Sequence, residues 1–167
     1  SVVGPQGHVL AVVPSESVAR DAKAADGVKA IAAQPGHGNV SVVVTPRNTL
    51  AVPHPVDVAW TSDNYHDIVN AGPGASAAFN AAVFKALKPG GTYIIIDHAA
   101  KAGATDAPSK LHRIDPAQVK AEVQAAGFQL VEESNVLARS TDTHELPIFD
   151  PSLRGRTDQF VLKFRRP

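Results

Sequence analysis

A dense polar run near the middle of the chain contains residue types that perform acid–base chemistry. The run follows an apolar segment and consists of Asp63, Asn64, Tyr65, His66 and Asp67. His66 is the natural general base of this set, because an unperturbed histidine has a pKa of about 6.5. Asp67 could orient His66 or cap the following turn. A structural loop histidine is the competing interpretation of His66.

Two further histidines stand beside charged residues. Asp97 and His98 end a second apolar run, and His112 precedes Arg113. If residues 99–109 fold back, the three histidines come together with two carboxylates, which is a possible set of metal ligands. No histidine pair has the i,i+4 spacing of ligands on one helix, so we predict a site without a metal ion.

Three arginines are candidate anion-binding residues. Arg113, Arg154 and Arg156 carry guanidinium groups, which bind carboxylates through paired hydrogen bonds. They could recognise an acidic substrate or partner. Alternatively, they tie down a loop through a carboxylate of the chain itself, with Asp158 as one partner.

The charge balance of the chain argues against two classes of partner. Its 167 residues include 16 Lys and Arg and 16 Asp and Glu, so the formal net charge is zero. Nucleic acids and anionic membranes normally need a basic excess on one face, so neither is an expected partner. The absence of cysteine excludes disulfides, thiolate nucleophiles and cysteine-bound zinc. The compartment, cytoplasmic or periplasmic, stays open.

Short apolar runs alternate with helical patterns along the chain. Strands are predicted over residues 8–13, 39–44, 56–61, 92–96, 128–136 and 159–164. Helices are predicted over 17–33, 75–87 and 115–126, a lid-like loop over 99–109, and an irregular segment over 137–158. This alternation indicates an α/β protein with a three-layer, mostly parallel sheet whose last strand is antiparallel. Trp60 is expected in its core.

Polar clusters follow the predicted strands. In an open α/β sheet, ligands bind beyond the carboxyl ends of the strands, where the loops diverge. We therefore expect Glu16, Asn48, His66 and His98 to gather around one crevice.

The second half of the chain carries the motifs of a known family. Residues 87–97 read LKPGGTYIIID, a helix and the corner AAGF at 125–128 follow, and an antiparallel strand pair ends the chain. From His8 to Phe164 this order resembles the class I S-adenosylmethionine-dependent methyltransferases. The segments DNYHDI, DHAA, LHRID and RGRTDQF look like those of a subgroup of predicted bacterial methyltransferases. The resemblance implies a Rossmann-like three-layer sandwich, with residues 1–167 as a single, N-terminally incomplete domain.

The resemblance also implies a cofactor, a reaction and residues for each. The expected function is methyl transfer from S-adenosylmethionine to a small-molecule acceptor, which needs positioning and a base for the acceptor's proton. The cofactor is expected near Glu16, Asn48, Ser62, Asp63 and Asn64. The acceptor is expected near Tyr65, His66, Asp97, His98 and His112.

The chain departs from the family pattern at its beginning. Members normally carry an acidic, Gly-rich turn between the first strand and a helix, and neither GHG at 36–38 nor GPG at 72–74 has that position. Val13 occupies the position where family members carry a carboxylate that binds the ribose. Glu16 either replaces that carboxylate or is simply an N-terminal helix residue that the helix dipole stabilises. The alternative function is a non-catalytic or degenerate Rossmann-like module that binds a ligand or a protein. A missing first strand also exposes an apolar sheet face, and a homodimer is the expected cover.

Overall fold

The computed structural model describes Val3, Gly4 and residues 6–167 of the chain. The chain divides into two compact units, Ser1–His54 and Pro55–Pro167, which we call the N-terminal and C-terminal units. The described residues contain no helix that is long and apolar enough to span a bilayer.

A parallel two-stranded sheet and two short helices form the N-terminal unit. Its elements are β1 (Val9–Pro14), α1 (Ser15–Arg20), α2 (Asp26–Ala32) and β2 (Val40–Thr45), and the two strands pair from Val9 opposite Val40 to Pro14 opposite Thr45. The prediction of one helix over 17–33 is wrong, because the backbone is extended at Asp21, with φ −142° and ψ 109°. The Asp21 carboxylate accepts from the Lys23 N–H at 2.9 Å, and such local bonds compete with helix formation.

The C-terminal unit is a four-stranded sheet with helices. Its elements are β3 (Val56–Ser62), α3 (Tyr65–Asn70), α4 (Ala75–Ala86), β4 (Leu87–His98), α5 (Ala107–Leu111), α6 (Pro116–Ala125), β5 (Gln129–Ser134) and β6 (Gln159–Arg165). The strand order is β3-β4-β6-β5, in which β3 and β4 are parallel and β6 is antiparallel to both neighbours. The predicted class, an α/β sheet with parallel strands and an antiparallel last strand, is confirmed.

The core of the C-terminal unit centres on β4 and β6. Tyr93 and Ile95 on β4 and Phe164 on β6 are buried, as are Val119 and Val123 of α6. Residues two apart on a strand and four apart on a helix lie on one face of the element. The sheet and α6 therefore each turn one apolar face to this core.

The strand that carries the site is longer than predicted. β4 begins at Leu87, which pairs with Val56 of β3, and the register shifts between Val56 and Val58. The LKPGG segment thus lies within the strand as an irregular stretch. At Gly91 an added Cβ would lie 2.8 Å from the Lys88 carbonyl oxygen, so this close backbone approach requires glycine.

Two predictions about local structure are wrong, and one helix is not predicted. The polar run after β3 continues into a helix, because α3 begins at Tyr65. The segment 99–109 is not a lid-like loop, because Ala99 and Ala100 are buried and α5 starts within it. Trp60 is 63% exposed rather than in the core, and β3, which carries it, is a terminal strand of its sheet.

A buried ion pair holds the irregular segment 137–158, which we call the strap. The fully buried Arg113 contacts Asp142 of the strap, with Nη1 2.9 Å from Oδ2 and Nη2 donating to Oδ1 at 3.0 Å. Arg113 also donates to the carbonyls of Ala99 and Leu146. These contacts support the interpretation that Arg113 ties down a loop.

Asp158 and Arg156, which are also expected to tie down this segment, do not bind each other. Asp158 lies 2.8 Å from Nε2 of His144 and accepts from the backbone N–H of Arg139. Arg156 donates to the Ser152 carbonyl. The arginine that binds a carboxylate of the strap is therefore Arg113, and its partner is not Asp158.

Breaking the buried pair is expected to destabilise the protein. Asp142→Asn leaves the Arg113 charge without its counterion, which typically costs about 3–5 kcal/mol. Burial raises the pKa of Asp142, but the N–H groups of Asp158 and His144 and the Arg113 guanidinium lower it overall. A lowered carboxyl pKa stabilises the fold above about pH 4, and this contribution is lost as the pH falls through the lowered pKa.

Urea unfolding of the wild type and Asp142→Asn at neutral and acidic pH measures this effect. The difference in unfolding free energy should be largest at neutral pH and shrink in acid. Asp106→Asn is the control, because it removes an exposed ion pair with Lys110 and should change stability little. Equal effects of the two substitutions would contradict the role assigned to the Arg113 pair.

Candidate functional site

The Asp97 carboxylate organises the end of β4. Asp97 is completely buried, and its Oδ2 accepts from the His66 backbone N–H at 2.9 Å. Its Oδ1 lies 2.8 Å from Nδ1 of His66 and accepts from the His98 backbone N–H at 2.7 Å. A buried charge is tolerated when hydrogen bonds compensate it. These bonds fix His66 of α3 against the end of β4.

A tight turn places His66 in the first turn of α3. Asp63 has a left-handed φ of 55°, which aspartate tolerates better than most residues, and its N–H donates to the Ile96 carbonyl at 2.9 Å. The carbonyl of Asn64 then accepts from the Asp67 N–H at 3.1 Å, which starts the helix. The polar run is therefore a strand-to-helix turn.

The His66 imidazole is buried among carboxylates. Burial alone lowers the pKa of His66, whereas its hydrogen bond to Asp97 and the charges of Asp97, Asp67 and Asp63 raise it, and the net pKa lies above its ordinary value. A histidine whose Nδ1–H donates to a carboxylate carries its free electron pair on Nε2. Among the described residues none hydrogen-bonds this Nε2, and Oδ1 of Asp67 lies 3.7 Å from it.

The imidazole ring of His98 lies beside that of His66. The two ring centroids are 6.1 Å apart, and Nδ1 of His98 lies 2.8 Å from Oγ1 of Thr157. Its Nε2 is 3.7 Å from Oδ1 of Asp63. Burial is the main influence on the pKa of His98 and lowers it, and the opposing effect of nearby carboxylates does not restore its ordinary value.

His112 reaches the same place from the end of α5. Its ring centroid is 5.4 Å from that of His66, and its Nδ1 is 3.6 Å from Oδ1 of Asp67. A bond from Asn70 of α3 to the Pro108 carbonyl of α5, 2.7 Å long, holds the two helices together. We call His66, His98 and His112 the histidine cluster.

The hydroxyl of Tyr65 has other partners. Tyr65 is completely buried, its hydroxyl donates to Oε2 of Glu122 at 2.9 Å, and it accepts from Nδ2 of Asn80 at 2.7 Å. Burial raises the pKa of Tyr65 far above its ordinary value, and Glu122 adds to the rise. The structure thus ties this side chain to α4 and α6.

The remaining predicted site residues fall in both units. Glu16 is exposed at the start of α1, where both carboxylate oxygens accept from the Arg47 N–H at 3.2 and 3.3 Å, and Asn48 is exposed in the same loop as Arg47. A hydrogen bond from the backbone of Glu16 itself is the main cause that lowers the pKa of this carboxyl, and the Arg47 N–H lowers it further. Ser62 and Asn64 are exposed at the end of β3. A single crevice that joins the two groups stays a prediction.

Several contacts of the site were not predicted. Thr157 and Gln159, at the end of the strap and the start of β6, bind His98 and Asp63 respectively. Phe149 of the strap, 57% exposed, packs edge-on against His112 with ring centroids 4.9 Å apart. No local pattern marks these three residues, because their partners are distant in sequence.

Solved structures match the chain across nearly its whole length. The glycopeptide N-methyltransferase MtfA, complexed with S-adenosylmethionine, matches with a TM-score of 0.65 and 16% identity over 99% of this chain and 75% of its own. A SAM-dependent methyltransferase from Aquifex aeolicus matches with a TM-score of 0.59 and 18% identity, over 99% of this chain and 72% of its own. The cyclase SpnF matches with a TM-score of 0.61 and 19% identity, over 98% of this chain and 76% of its own. No protein-family model and no curated protein sequence matches the chain.

These matches define the class of the fold. The chain has the Rossmann-like fold of the class I S-adenosylmethionine-dependent methyltransferases, as the resemblance of its motifs implied. SpnF is a cyclase with the same fold, so the reaction has to be argued from the site itself.

Removing the Asp97 charge is expected to change the titration of His66. In Asp97→Asn the burial of His66 remains while the main influence that raises its pKa is gone, so the pKa of His66 should fall. Histidine Cε1–H signals followed by NMR against pH measure this shift, and near-ultraviolet circular dichroism checks that the variant is folded. The control is the exposed His54, whose signal should be the same in both proteins. An unchanged His66 pKa in a folded variant would contradict the role given to Asp97.

Proposed function

We propose that the protein transfers a methyl group from S-adenosylmethionine to an oxygen or nitrogen atom of a small molecule. The observation that carries this proposal is the histidine cluster at the carboxyl end of β4, where Asp97 binds His66 and His98, in a fold of this class. Ligands of open α/β sheets bind beyond that end of the strands. When bound, S-adenosylmethionine supplies the electrophilic methyl group.

The histidine cluster handles the acceptor in this proposal. His66 takes the acceptor's proton at Nε2, the nitrogen that no described residue hydrogen-bonds. Asp97 keeps the ring oriented and stabilises its protonated form, as a carboxylate does in other buried histidine pairs. His98 and His112 lie within reach of the same acceptor, and Tyr65 positions α3 through its bond to Glu122.

The cofactor has a partial set of matching groups in the chain. The Glu16 carboxylate is exposed and accepts from the backbone N–H of Arg47. Its remaining lone pairs can accept from the two hydroxyls of a ribose. Asn48 next to this loop, and Ser62, Asp63 and Asn64 at the end of β3, are the further proposed contacts. Neither of the two glycine segments is the Gly-rich turn of the family, because the glycines at 36–38 join α2 to β2 and those at 72–74 join α3 to α4.

The alternative is a module that binds a ligand or protein without methyl transfer. SpnF, a cyclase, shows that other chemistry occurs on this fold. Titration with S-adenosylhomocysteine separates the two, because the module does not require the cofactor. A homodimer also stays a prediction, and the exposed Val58 and Trp60 of β3 are the apolar residues it would cover.

Binding of S-adenosylhomocysteine is the first test. We expect isothermal titration calorimetry to show one site, and Glu16→Ala to weaken binding about 10- to 100-fold, the effect of losing hydrogen bonds to a charged group. Glu145→Ala is the matched control, because Glu145 is an exposed glutamate paired with Lys101. Absence of binding to the wild type would reject the cofactor, and equal affinities of the two variants would reject the Glu16 contact.

Loss of the base is the second test. His66→Ala should retain S-adenosylhomocysteine affinity and lower methyl transfer about 10²- to 10⁴-fold, the usual contribution of general base catalysis. The measurement is the release of S-adenosylhomocysteine from S-adenosylmethionine with a panel of phenols, catechols and primary amines. His54→Ala is the control. A variant that binds cofactor and turns over normally would show that His66 is not the base.

A further inference from the structure

We infer that His66, His112 and Asp67 form a binding site for a divalent transition-metal ion of the zinc type. One ligand atom from each of the three residues lies within 4.8 Å of the other two. Two imidazole nitrogens and one carboxylate oxygen are a common protein ligand set for zinc, with a fourth position open to water or substrate. No sequence spacing announces this set, because His112 comes from a different helix.

The distances suit a shared ion better than direct contacts. Oδ1 of Asp67 is 3.7 Å from Nε2 of His66 and 3.6 Å from Nδ1 of His112. Both separations are too long for hydrogen bonds. The ligand atoms of a tetrahedral zinc ion with bonds of about 2.1 Å lie about 3.4 Å from one another. The two distances from Asp67 are therefore within a few tenths of an ångström of those in a tetrahedral zinc site, and the third pair of ligand atoms lies within 4.8 Å.

The groups around His66 prepare it as a ligand. Its Nδ1 bonds Oδ1 of the buried Asp97 at 2.8 Å, which is the second-shell arrangement that fixes a metal-binding histidine and leaves Nε2 as the donor. His66 is 2% exposed, so its ring is held by the surrounding packing. Nε2 has no hydrogen-bond partner among the residues that the structure describes.

The backbone holds His112 in an uncommon conformation. Its φ of 53° and ψ of 44° lie in the left-handed region, which costs free energy in a residue other than glycine. The next two residues fix it there, because Arg113 is buried in its ion pair and the N–H of Ile114 donates to the His98 carbonyl at 2.9 Å. The third ligand is thus held in place by contacts outside the metal site.

A second triplet, Asp63, Asp97 and His98, has a similar span but suits a metal less well. Oδ1 of Asp97 already serves Nδ1 of His66 and the His98 N–H. Asp63 likewise accepts from Gln159. The inference is therefore restricted to the first triplet.

The metal ion and the acceptor's proton would both bind Nε2 of His66, a relation that rests on the proposed function. One nitrogen cannot serve a metal ion and a proton at once. Metal binding and the base role of His66 therefore exclude each other in any single molecule. Binding of the ion itself requires no cofactor, so the two proposals can fail separately.

The test is a metal titration of the chelator-treated protein. We expect one equivalent of Zn²⁺ to bind with micromolar affinity or better by calorimetry, and Co²⁺ to give the intense visible absorption of four-coordinate cobalt. His112→Ala and Asp67→Asn should each weaken Zn²⁺ binding at least tenfold. Both side chains are partly exposed, at 37% and 55%, so the variants should fold. His54→Ala, at an exposed histidine outside the triplet, should bind as the wild type does.

Each outcome decides the inference. Zn²⁺ affinity that is only millimolar, or that is unchanged in His112→Ala and Asp67→Asn, would overturn it. Weaker binding in both variants together with the cobalt spectrum would establish it. The parallel titration with S-adenosylhomocysteine keeps the two proposals apart. Cofactor binding without zinc binding removes the metal site alone, and zinc binding without cofactor binding removes the methyltransferase proposal alone.

Discussion

The geometry of the candidate site depends on the buried carboxylate of Asp97 at the end of β4. Its hydrogen bonds to His66 and His98 bring α3, β4 and two imidazole rings to one point. A buried carboxylate without such donors would be costly, so the fold and the site stabilise each other here. The orientation of His66, whether it serves as a base or as a metal ligand, follows from this one side chain.

The part of the fold that the sequence predicted is the part with strong local patterns. The strands predicted over 92–96 and 159–164 and the helix predicted over 115–126 all appear in the structure. The Asp115 side chain does accept from the Ala117 N–H, as a helix cap should. Such patterns act over a few residues, and neighbouring residues are what a single sequence reveals.

The wrong and missing predictions concern segments whose local pattern is weak and contacts between residues that are distant in sequence. α3 is not predicted because it begins within a polar run, although Tyr65, Ile68 and Val69 have the helical spacing i, i+3, i+4. The contacts of Thr157 with His98 and of Asp142 with Arg113 join residues far apart in the chain. Histidines at 66, 98 and 112 could be identified as candidates. Their distances could not, because packing of separate elements sets them.

The two-stranded sheet of the N-terminal unit has an energetic consequence. Among the described residues of this unit, the buried apolar ones are Val13 and Ala25. The other buried apolar residues that the structure describes belong to the C-terminal unit. Two strands with little buried apolar area are marginally stable by themselves. Local opening of this unit therefore costs little free energy compared with global unfolding. The hydrogen-bonded contact between Glu16 and the Arg47 loop would then fluctuate, and a ligand that ordered it would lose part of its binding energy to that ordering.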